Sequence, residues 1–382
     1  MMENFQYYAP TKVVFGKGTE NKAGQLVKEQ NCRKVLIHYG SGSVKRSGLL
    51  DRIFASLDEE GISYISLGGV VPNPRLSLVY EGIDLCRREG VDFILAVGGG
   101  SVIDSAKAIG YGVENEGDVW DFYERKRQAC GCLPIGVVLT IAAAGSEMSD
   151  SSVITNENGW LKRGYNSSYC RPKFAVMNPE LTMTLPKYQT ASGCVDIMMH
   201  TMERYFNHCD NMELTDGISE HLLRTVMKNA KILMDEPQCY KARAEVMWAG
   251  SLSHNGLTSA GRSFLMQVHQ MERELSGMYP QIAHGAGLSA LWPSWARYVC
   301  SHDVSRFARY GVNVWNIDMD FGNPMNTALA GIQATEDFYK SLGMPVTLKE
   351  LGVERDRIEE MAEKCTNMGQ RKLSGIVELG RE

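Results

Sequence analysis

The chain has 382 residues, of which 44% are hydrophobic, so it can build the cores of roughly two to three domains. Its 45 acidic and 40 basic residues give a net charge of -5, which excludes a broad basic surface for nucleic acid or an anionic membrane. The N-terminus lacks the layout of a signal peptide, and no apolar run approaches the roughly 18 residues of a membrane span. We therefore expect a cytoplasmic protein that acts on small molecules.

Short β-branched runs alternate with helical patterns up to about residue 185. The predicted strands are residues 34–39, 63–67, 92–97, 133–140 and 174–177, and the predicted helices between them are residues 49–60, 76–90 and 101–112. This alternation is typical of a parallel sheet covered by helices on both faces. We predict an α/β, Rossmann-like dinucleotide-binding domain over residues 1–185.

Strand patterns nearly vanish from Leu185 onward. Long helical patterns take their place, for example over residues 213–234 and 242–260. We therefore place a domain boundary near Pro186 and predict an all-α, metal-binding domain over residues 186–382.

Two Gly-rich turns follow predicted strands, at residues 39–48 and 96–110. Ligands of parallel sheets bind at the carboxyl ends of the strands, where such turns lie. Gly98, Gly99 and Gly100 leave room for backbone amides to approach a diphosphate, and a helix that starts at Ser101 favours negative charge. A plain tight turn is the alternative, because the segment is not the standard G-x-G-x-x-G pattern.

The stretch GCVDIMMHTMERYF, residues 193–206, is predicted to be a helix with two contrasting stripes. One stripe is apolar, and the other carries Asp196, His200 and Glu203. Asp196 and His200 are four residues apart, which places them one above the other on a helix. Such a pair by itself is more often a solvated face than a metal site.

Two further histidines strengthen the metal interpretation. His269 lies in a helical pattern at residues 264–275, and His284 lies in the loop-like stretch QIAHGAGL. Together with Asp196 and His200 they would supply three nitrogens and one oxygen, a set suited to Fe(II) or Zn(II). The remaining histidines lack such companions and are interpreted as surface or capped core residues: His38, His208, His221, His254 and His302.

The sequence resembles the iron-containing (group III) alcohol dehydrogenase family, especially its branch of NADP-dependent butanol dehydrogenases and aldehyde reductases. The resemblance runs in order through nearly the whole chain. Its segments are residues 13–18, 35–51, 72–79, 91–109, 139–149, 172–186, 193–206 and 269–288. It implies a dehydroquinate synthase-like fold, a dinucleotide in the interdomain cleft faced by the polar stripe, and one divalent ion held by Asp196, His200, His269 and His284.

The resemblance also implies which residues contact the cofactor. They are Asn73, Gly98, Gly99, Gly100, Ser101, Asp104, Thr140, Ser149 and Lys162. NAD-preferring relatives place an aspartate after the first of these strands, where it repels a 2'-phosphate. This turn instead reads Gly40, Ser41, Gly42, Ser43, with Lys45 nearby and no acidic residue. We predict a preference for NADP(H) over NAD; the alternative is that Lys45 points to solvent and the turn accepts either.

The implied activity is hydride transfer between NADP(H) and a short-chain primary alcohol or aldehyde, as an aldehyde reductase or butanol dehydrogenase. A homodimer is expected, without nucleic-acid or membrane partners. Two residues depart from the family pattern: Arg273 replaces a second histidine often proposed as a proton relay, and Ala144 replaces a threonine. An arginine cannot exchange protons near neutral pH. Either water or the cofactor ribose delivers the proton, or Arg273 binds an anionic group of the substrate. The alternatives are a dehydroquinate synthase-like NAD- and metal-dependent lyase and a non-catalytic relative that retains the fold.

Overall fold

The structure is a computed structural model that describes residues 2–207 and 212–381. The chain divides into two compact units. The α/β unit begins at Ala9 and ends at Thr184, and the helical unit combines the residues through Tyr8 with those from Leu185 onward. The backbone N–H of Glu3 donates to the carbonyl of Gly261 at 2.8 Å, so the N-terminal segment is tied into the helical unit.

The α/β unit is built on a six-stranded sheet in the order β1-β8-β5-β4-β2-β3, with every neighbouring pair parallel. A separate antiparallel hairpin is formed by β6 and β7. The strands are β1 (Lys12–Phe15), β2 (Lys34–Gly40), β3 (Ser63–Val70), β4 (Phe93–Gly98), β5 (Ile135–Leu139), β6 (Ser151–Asn156), β7 (Leu161–Asn166) and β8 (Phe174–Met177). The parallel sheet and its five predicted strands are confirmed, whereas β1 and the polar hairpin were not anticipated.

The central strands are buried because helices cover both faces of the sheet. Successive side chains of a strand point to opposite faces. On β2, Val35 and Ile37 belong to a core cluster that includes Ile53 and Leu57. Leu36 lies between them and is also fully buried, as expected for a strand covered on both sides. The helices of this unit are α1 (Ala23–Lys28), α2 (Ser43–Arg46), α3 (Leu49–Glu59), α4 (Leu76–Glu89), α5 (Gly100–Glu114) and α6 (Trp120–Tyr123).

The helical unit is organised around α7, which packs against α8, α9 and α11. Its helices are α7 (Lys187–Tyr205), α8 (Glu213–Asp235), α9 (Tyr240–His254), α10 (Gln267–Met278), α11 (His284–Val299), α12 (Val304–Trp315), α13 (Pro324–Ser341) and α14 (Arg357–Cys365). Within the described part of this unit, β pairing is limited to one bridge between Leu373 and Leu379. No helix in the described ranges is both long enough and apolar enough to cross a bilayer.

Candidate functional site

The two Gly-rich turns lie at the carboxyl ends of neighbouring strands. Strand β2 pairs with β3 on one side and with β4 on the other, so the order in which strands are added to the sheet reverses between β2 and β4. In open parallel sheets, ligands bind in the crevice at such a switch point. The turn after β2 (residues 40–43) and the turn after β4 (residues 98–101) are therefore both in the position that the fold reserves for a ligand.

Close packing explains the glycines of the second turn. A Cβ at Gly98 would lie 2.5 Å from a Val102 methyl carbon, and one at Gly99 would lie 2.2 Å from an Ile141 methyl carbon. Helix α5 starts here, and its N-cap residue Gly99 provides no side-chain cap. The glycines are thus required by the fold itself, while an uncapped helix N-terminus suits a phosphate group.

Three other predicted cofactor residues lie near these strand ends or on the hairpin. The backbone N–H of Thr140 donates to the carbonyl of Gly98 at 3.1 Å. Asn73 has a left-handed backbone (φ 56°), and the next residue, Pro74, accepts a hydrogen bond from the Thr155 N–H at 2.8 Å. Lys162 is the cross-strand neighbour of Thr155. Their roles as cofactor contacts stay predictions.

Asp104 and Ser149 belong to a buried network around Lys107. The Asp104 carboxylate accepts hydrogen bonds from Ser146 Oγ at 2.6 Å and from the Val153 N–H at 3.0 Å. Lys107 Nζ, which is fully buried, donates to carbonyl oxygens of Ser146 and Ser149 at 2.8 and 3.0 Å. Burial raises the pKa of Asp104. The network fixes the segment after β5 against α5, and in the sequence Lys107 was visible only as a lysine three residues after Asp104 on the same helix.

The polar stripe of helix α7 is buried and does not face water. Asp196 and His200 are each 3% exposed and Glu203 is 2% exposed, so the stripe is as buried as the apolar one. Burial of polar groups at this density is costly unless partners or a bound ion compensate for it. The solvated-face interpretation of Asp196 and His200 is therefore wrong.

Helices α10 and α11 supply the other two histidines. The expected helix around His269 begins at Gln267, three residues later than the pattern suggested, and His284 is the first residue of α11 rather than part of a loop. The reason is Gly285: a Cβ there would lie 2.0 Å from the carbonyl oxygen of Ser192 on α7. Glycine lets the first turn of α11 contact the α7 backbone, which brings His284 beside Asp196.

Three histidine nitrogens converge on one carboxylate oxygen. Asp196 Oδ1 lies 3.3 Å from His200 Nδ1, 3.5 Å from His269 Nε2 and 3.7 Å from His284 Nε2. Metal–nitrogen bonds of about 2.1 Å in a tetrahedral site would place the donor atoms about 3.4 Å apart. The three distances to Asp196 Oδ1 are therefore close to the spacing that one first-row divalent ion requires. Asp196, His200 and His269 also have ligand atoms within 4.8 Å of one another, and His284 adjoins this group through Asp196.

Unsatisfied atoms and charge also fit a cation. Asp196 Oδ1, His200 Nδ1 and His269 Nε2 are buried and have no hydrogen-bond partner among the described residues. Burial alone would raise the pKa of Asp196, but the neighbouring histidines hold it below its usual range. Burial opposes protonation of His269, yet Glu203 and Asp196 outweigh it and raise its pKa to about 8. Asp196 therefore stays ionised and brings a negative charge to the cluster.

Two glutamates and one histidine surround this cluster, and none of them was predicted to take part in it. Glu203 contacts Nδ1 of His269, and Glu272 contacts Nδ1 of His284. The ring of His254 lies 4.1 Å from that of His200, a contact that spacing in the sequence did not indicate. In the sequence, these glutamates could be noticed only by their positions: Glu203 lies on the polar stripe of α7, and Glu272 is three residues after His269.

The remaining predicted residues stay apart from the cluster or have no defined role. His38 is a buried core histidine with both ring nitrogens bonded, and His221 and His302 are exposed, as predicted. His208 lies outside the described residues. Arg273 is half-buried one helical turn after His269 on α10, and its contribution stays a prediction.

A parallel sheet with Gly-rich turns at its switch point, in a chain whose helical unit gathers one aspartate and three histidines, defines the class of metal-dependent dehydrogenases. Two family profiles match the chain: "Iron-containing alcohol dehydrogenase" over residues 10–179 and "Fe-containing alcohol dehydrogenase family, C-terminal" over residues 190–374. The chain belongs to the iron-containing alcohol dehydrogenase family. This family uses a divalent metal and a nicotinamide cofactor.

Similar proteins with known names or structures agree with this placement. NADH-dependent butanol dehydrogenase A of Clostridium acetobutylicum is 44% identical over 95% of this chain and 93% of its own length. The NADPH-dependent aldehyde reductase YqhD of Escherichia coli is 33% identical over 97% of this chain and 95% of its own. The crystal structure of NADH-dependent butanol dehydrogenase A from Thermotoga maritima superimposes with a TM-score of 0.96 at 38% identity, covering 100% of this chain and 96% of that one.

Proposed function

We propose that this protein transfers hydride between NADP(H) and a short-chain primary alcohol or aldehyde, acting as an aldehyde reductase or butanol dehydrogenase. The proposal rests chiefly on one observation: three histidine nitrogens lie within 3.3 to 3.7 Å of a single buried aspartate oxygen. Relatives named for butanol and for aldehyde substrates support the substrate class.

The four residues have distinct roles in this proposal. A divalent ion held by Asp196, His200, His269 and His284 would act as a Lewis acid toward the alcohol or carbonyl oxygen. The Asp196 carboxylate offsets part of the ion's charge, and the neutral imidazoles offset none. The side chain of His284 is 31% exposed, against 4 to 6% for the other three, so we infer that substrate approaches past His284.

We propose Fe(II) or Zn(II) as the ion, because three imidazoles and one carboxylate suit both. Zinc generally binds such sites more tightly than iron, so the metal acquired in a cell depends on supply as well as on the ligands. Arg273, one turn after His269, leaves proton delivery to water or the cofactor ribose, and we propose that it contacts an anionic group on substrates that carry one.

We propose NADP(H) as the preferred cofactor, with NAD as the alternative. No Asp or Glu occurs from Tyr39 through Leu50, so no carboxylate of this turn would repel a 2'-phosphate. Lys45 Nζ lies 5.2 Å from the centre of the Tyr39 ring, which keeps its charge beside the end of β2. Similar proteins carry names of both kinds, NADH-dependent and NADPH-dependent.

A single substitution tests this preference. A Cβ at Gly40 would make only ordinary contacts, the nearest at 3.6 Å to the Val70 carbonyl oxygen, so Gly40→Asp fits the fold. We expect it to lower kcat/KM for NADPH by roughly tenfold or more and to leave NADH nearly unchanged. A wild-type enzyme that already prefers NADH would contradict the NADP(H) proposal.

The assembly and location are proposed on separate grounds. Strand β1 is an edge strand of the six-stranded sheet and carries Phe15, which is 39% exposed, so a second copy could pair there in a homodimer. We also propose that the enzyme works in the cytoplasm, where NADPH is supplied for aldehyde reduction. Analytical ultracentrifugation measures the first point and cell fractionation the second.

The decisive assay follows NADPH and NADH oxidation by butanal with stripped protein, after adding Fe(II) or Zn(II). Metal-dependent oxidation by the wild type, absent from Asp196→Asn, supports the proposal. Metal binding without oxidation of either cofactor favours the lyase, and a protein that binds no metal favours the non-catalytic relative. Including a carboxylate-bearing aldehyde, with wild type and Arg273→His compared, tests the role proposed for Arg273.

A further inference from the structure

Glu203 is a buried carboxylate that joins two of the helices carrying the histidine cluster. It lies on α7, one turn after His200, and its side chain is 1% exposed. Its carboxylate reaches α10, where Oε1 accepts a hydrogen bond from the Val268 N–H at 2.6 Å and Oε2 accepts one from the His269 N–H at 3.1 Å. Oε2 also contacts Nδ1 of the His269 ring.

The backbone contacts explain how α10 starts without a cap of its own. Helix α10 begins at Gln267, so Val268 and His269 are its second and third residues, whose N–H groups have no partner inside a helix. The N-cap residue is Met266, whose side chain makes no capping hydrogen bond. The Glu203 carboxylate takes over this function from the neighbouring helix, with a negative charge at the positive end of α10.

The ring contact fixes which nitrogen of His269 carries hydrogen. A carboxylate accepts only, so the Nδ1 facing Glu203 must donate, and a neutral ring then has its lone pair on Nε2. Nε2 is the atom 3.5 Å from Asp196 Oδ1. His200 differs in this respect, since its ring is packed against those of His254 and His269 at 4.1 and 4.5 Å.

We propose that Glu203 is a positioning residue for the metal: by one carboxylate it caps α10 and holds His269 in the Nδ1–H tautomer that leaves Nε2 open to the ion. The inference rests on the metal site of the proposed function. Partners of this kind typically change metal affinity by 10- to 100-fold when they are removed.

The test compares Glu203→Gln with the wild type in metal-free protein. Glutamine has the same size, but its amide nitrogen is a donor. With its oxygen accepting from Val268, the nitrogen donates to His269 Nδ1 and the His269 N–H loses its acceptor. We expect the neutral His269 ring to move to the Nε2–H tautomer, seen by NMR with ¹⁵N-labelled histidine at a pH well above the pKa of about 8. We also expect the affinity for Zn²⁺, measured by competition with a chromophoric chelator, to fall roughly 10- to 100-fold.

Two companion variants separate positioning from stability. In Glu203→Gln with Met266→Ser, the serine restores a cap to α10, so the thermal midpoint should rise while the Zn²⁺ affinity stays low. Glu220→Gln is the matched control: Glu220 is a buried carboxylate of the same unit that binds Tyr205, Arg309 and Asn313 instead of a histidine. It should lower stability and leave Zn²⁺ affinity within about twofold, because it does not touch the cluster.

Each result bears on the proposal. Unchanged Zn²⁺ affinity or an unchanged His269 tautomer in Glu203→Gln would overturn it, and so would recovery of affinity on adding Met266→Ser, since Glu203 would then act through the helix alone. A wild type that binds Zn²⁺ but reduces no aldehyde contradicts only the proposed activity. A wild type that binds no Zn²⁺ overturns both.

Discussion

The helical unit contains two buried aspartates with opposite surroundings. Asp216 is fully buried and each of its carboxylate oxygens is occupied: Arg306 donates to both, at 2.5 and 2.7 Å, and Arg262 donates to Oδ1 at 2.7 Å. Asp196 is equally buried, but its Oδ1 faces three histidine nitrogens without any hydrogen bond among the described residues. The protein itself supplies the hydrogen-bond donors of Asp216, whereas Asp196 Oδ1 remains available to a ligand.

This difference separates a structural charge from a functional one. A buried polar group that is hydrogen-bonded by the fold contributes to stability, because removing one partner leaves the others buried without a partner. A buried group that the fold leaves unsatisfied raises the energy of the protein until a ligand binds. The Asp196 cluster is therefore expected to control activity, and the Asp216 cluster to control folding.

The largest expected effect comes from Asp196→Asn. It removes a charged metal ligand, and loss of a Lewis-acid contribution of several kcal/mol lowers kcat/KM by about a thousandfold. The metal-free protein should lose less stability than Asp216→Asn does, because Asp196 Oδ1 makes no hydrogen bond and only its attraction to the neighbouring histidines is lost. Steady-state kinetics and urea unfolding measure the two parts. Nearly normal activity in a metal-depleted variant would contradict the assignment.

Asp216→Asn is expected to reverse that pattern. It leaves Arg262 and Arg306, whose side chains are 0% and 2% exposed, without their carboxylate, at a cost of about 3–5 kcal/mol in the free energy of unfolding. Zn²⁺ affinity of the folded variant should match the wild type. Glu336→Gln, which breaks a more exposed pair with Arg297, is the control and should cost less than about 1 kcal/mol.

Gly285→Ala tests how tightly the backbone determines the cluster. The added methyl meets the Ser192 carbonyl, which is backbone and cannot rotate away, so we expect a loss of about 3 kcal/mol and weaker Zn²⁺ binding as α11 shifts. The control is Gly217→Ala on α8, because a Cβ at Gly217 meets nothing within 4 Å. Gly343→Ala is unsuitable because Gly343 has a positive φ. Equal stability and affinity in Gly285→Ala would show that α11 adjusts freely.

The smallest expected effect concerns His38, a satisfied buried group in the α/β unit. Its Nδ1 faces the Leu67 carbonyl and its Nε2 faces Ser105 Oγ, both at 2.9 Å, and burial lowers its pKa from 6.5 to about 4. Below pH 6.5 the unfolded chain binds a proton at His38, whereas the folded chain binds it only below about pH 4. The free energy of unfolding therefore falls as the pH decreases across this window. At pH 5 the loss is about 2 kcal/mol.

His38→Gln should remove this acid sensitivity. Urea unfolding at pH 7 and pH 5 gives the change in free energy for the variant and for His302→Gln, an exposed control. The variant is expected to be less stable at pH 7, because it loses a buried hydrogen bond, but to lose less on acidification. The same decline in both variants would show that other groups cause the acid sensitivity.

Much of the fold was predictable from local patterns. Strands such as β2 and β4 are continuous apolar runs followed by Gly-rich turns, and α3, α4 and α5 have clear helical periodicity, so the parallel sheet followed. Strand β1 was missed because it has four residues with exposed ends, and the hairpin of β6 and β7 because its second strand is half polar.

The site was predictable as a set of residues but not as a set of contacts. Spacing pairs Asp196 with His200, because they share a helix face. It cannot pair Glu203 with the start of α10, 65 residues later, or His254 with His200, because those contacts depend on how helices pack. A helix start at His284 was also invisible, since it depends on Gly285 meeting α7.

The amino-acid sequence by itself determined the alternation of strands and helices, the turns that follow β2 and β4, and the identity of the four candidate ligands. The alternation, the turns and the pairing of Asp196 with His200 depend on neighbours a few residues apart, which periodicity records, and the resemblance along the whole chain added His269 and His284. Tertiary structure alone decided which buried charges are satisfied and which are not. Whether a carboxylate such as Asp196 or Asp216 finds a donor is set by side chains that arrive from other helices, and local sequence carries no record of them.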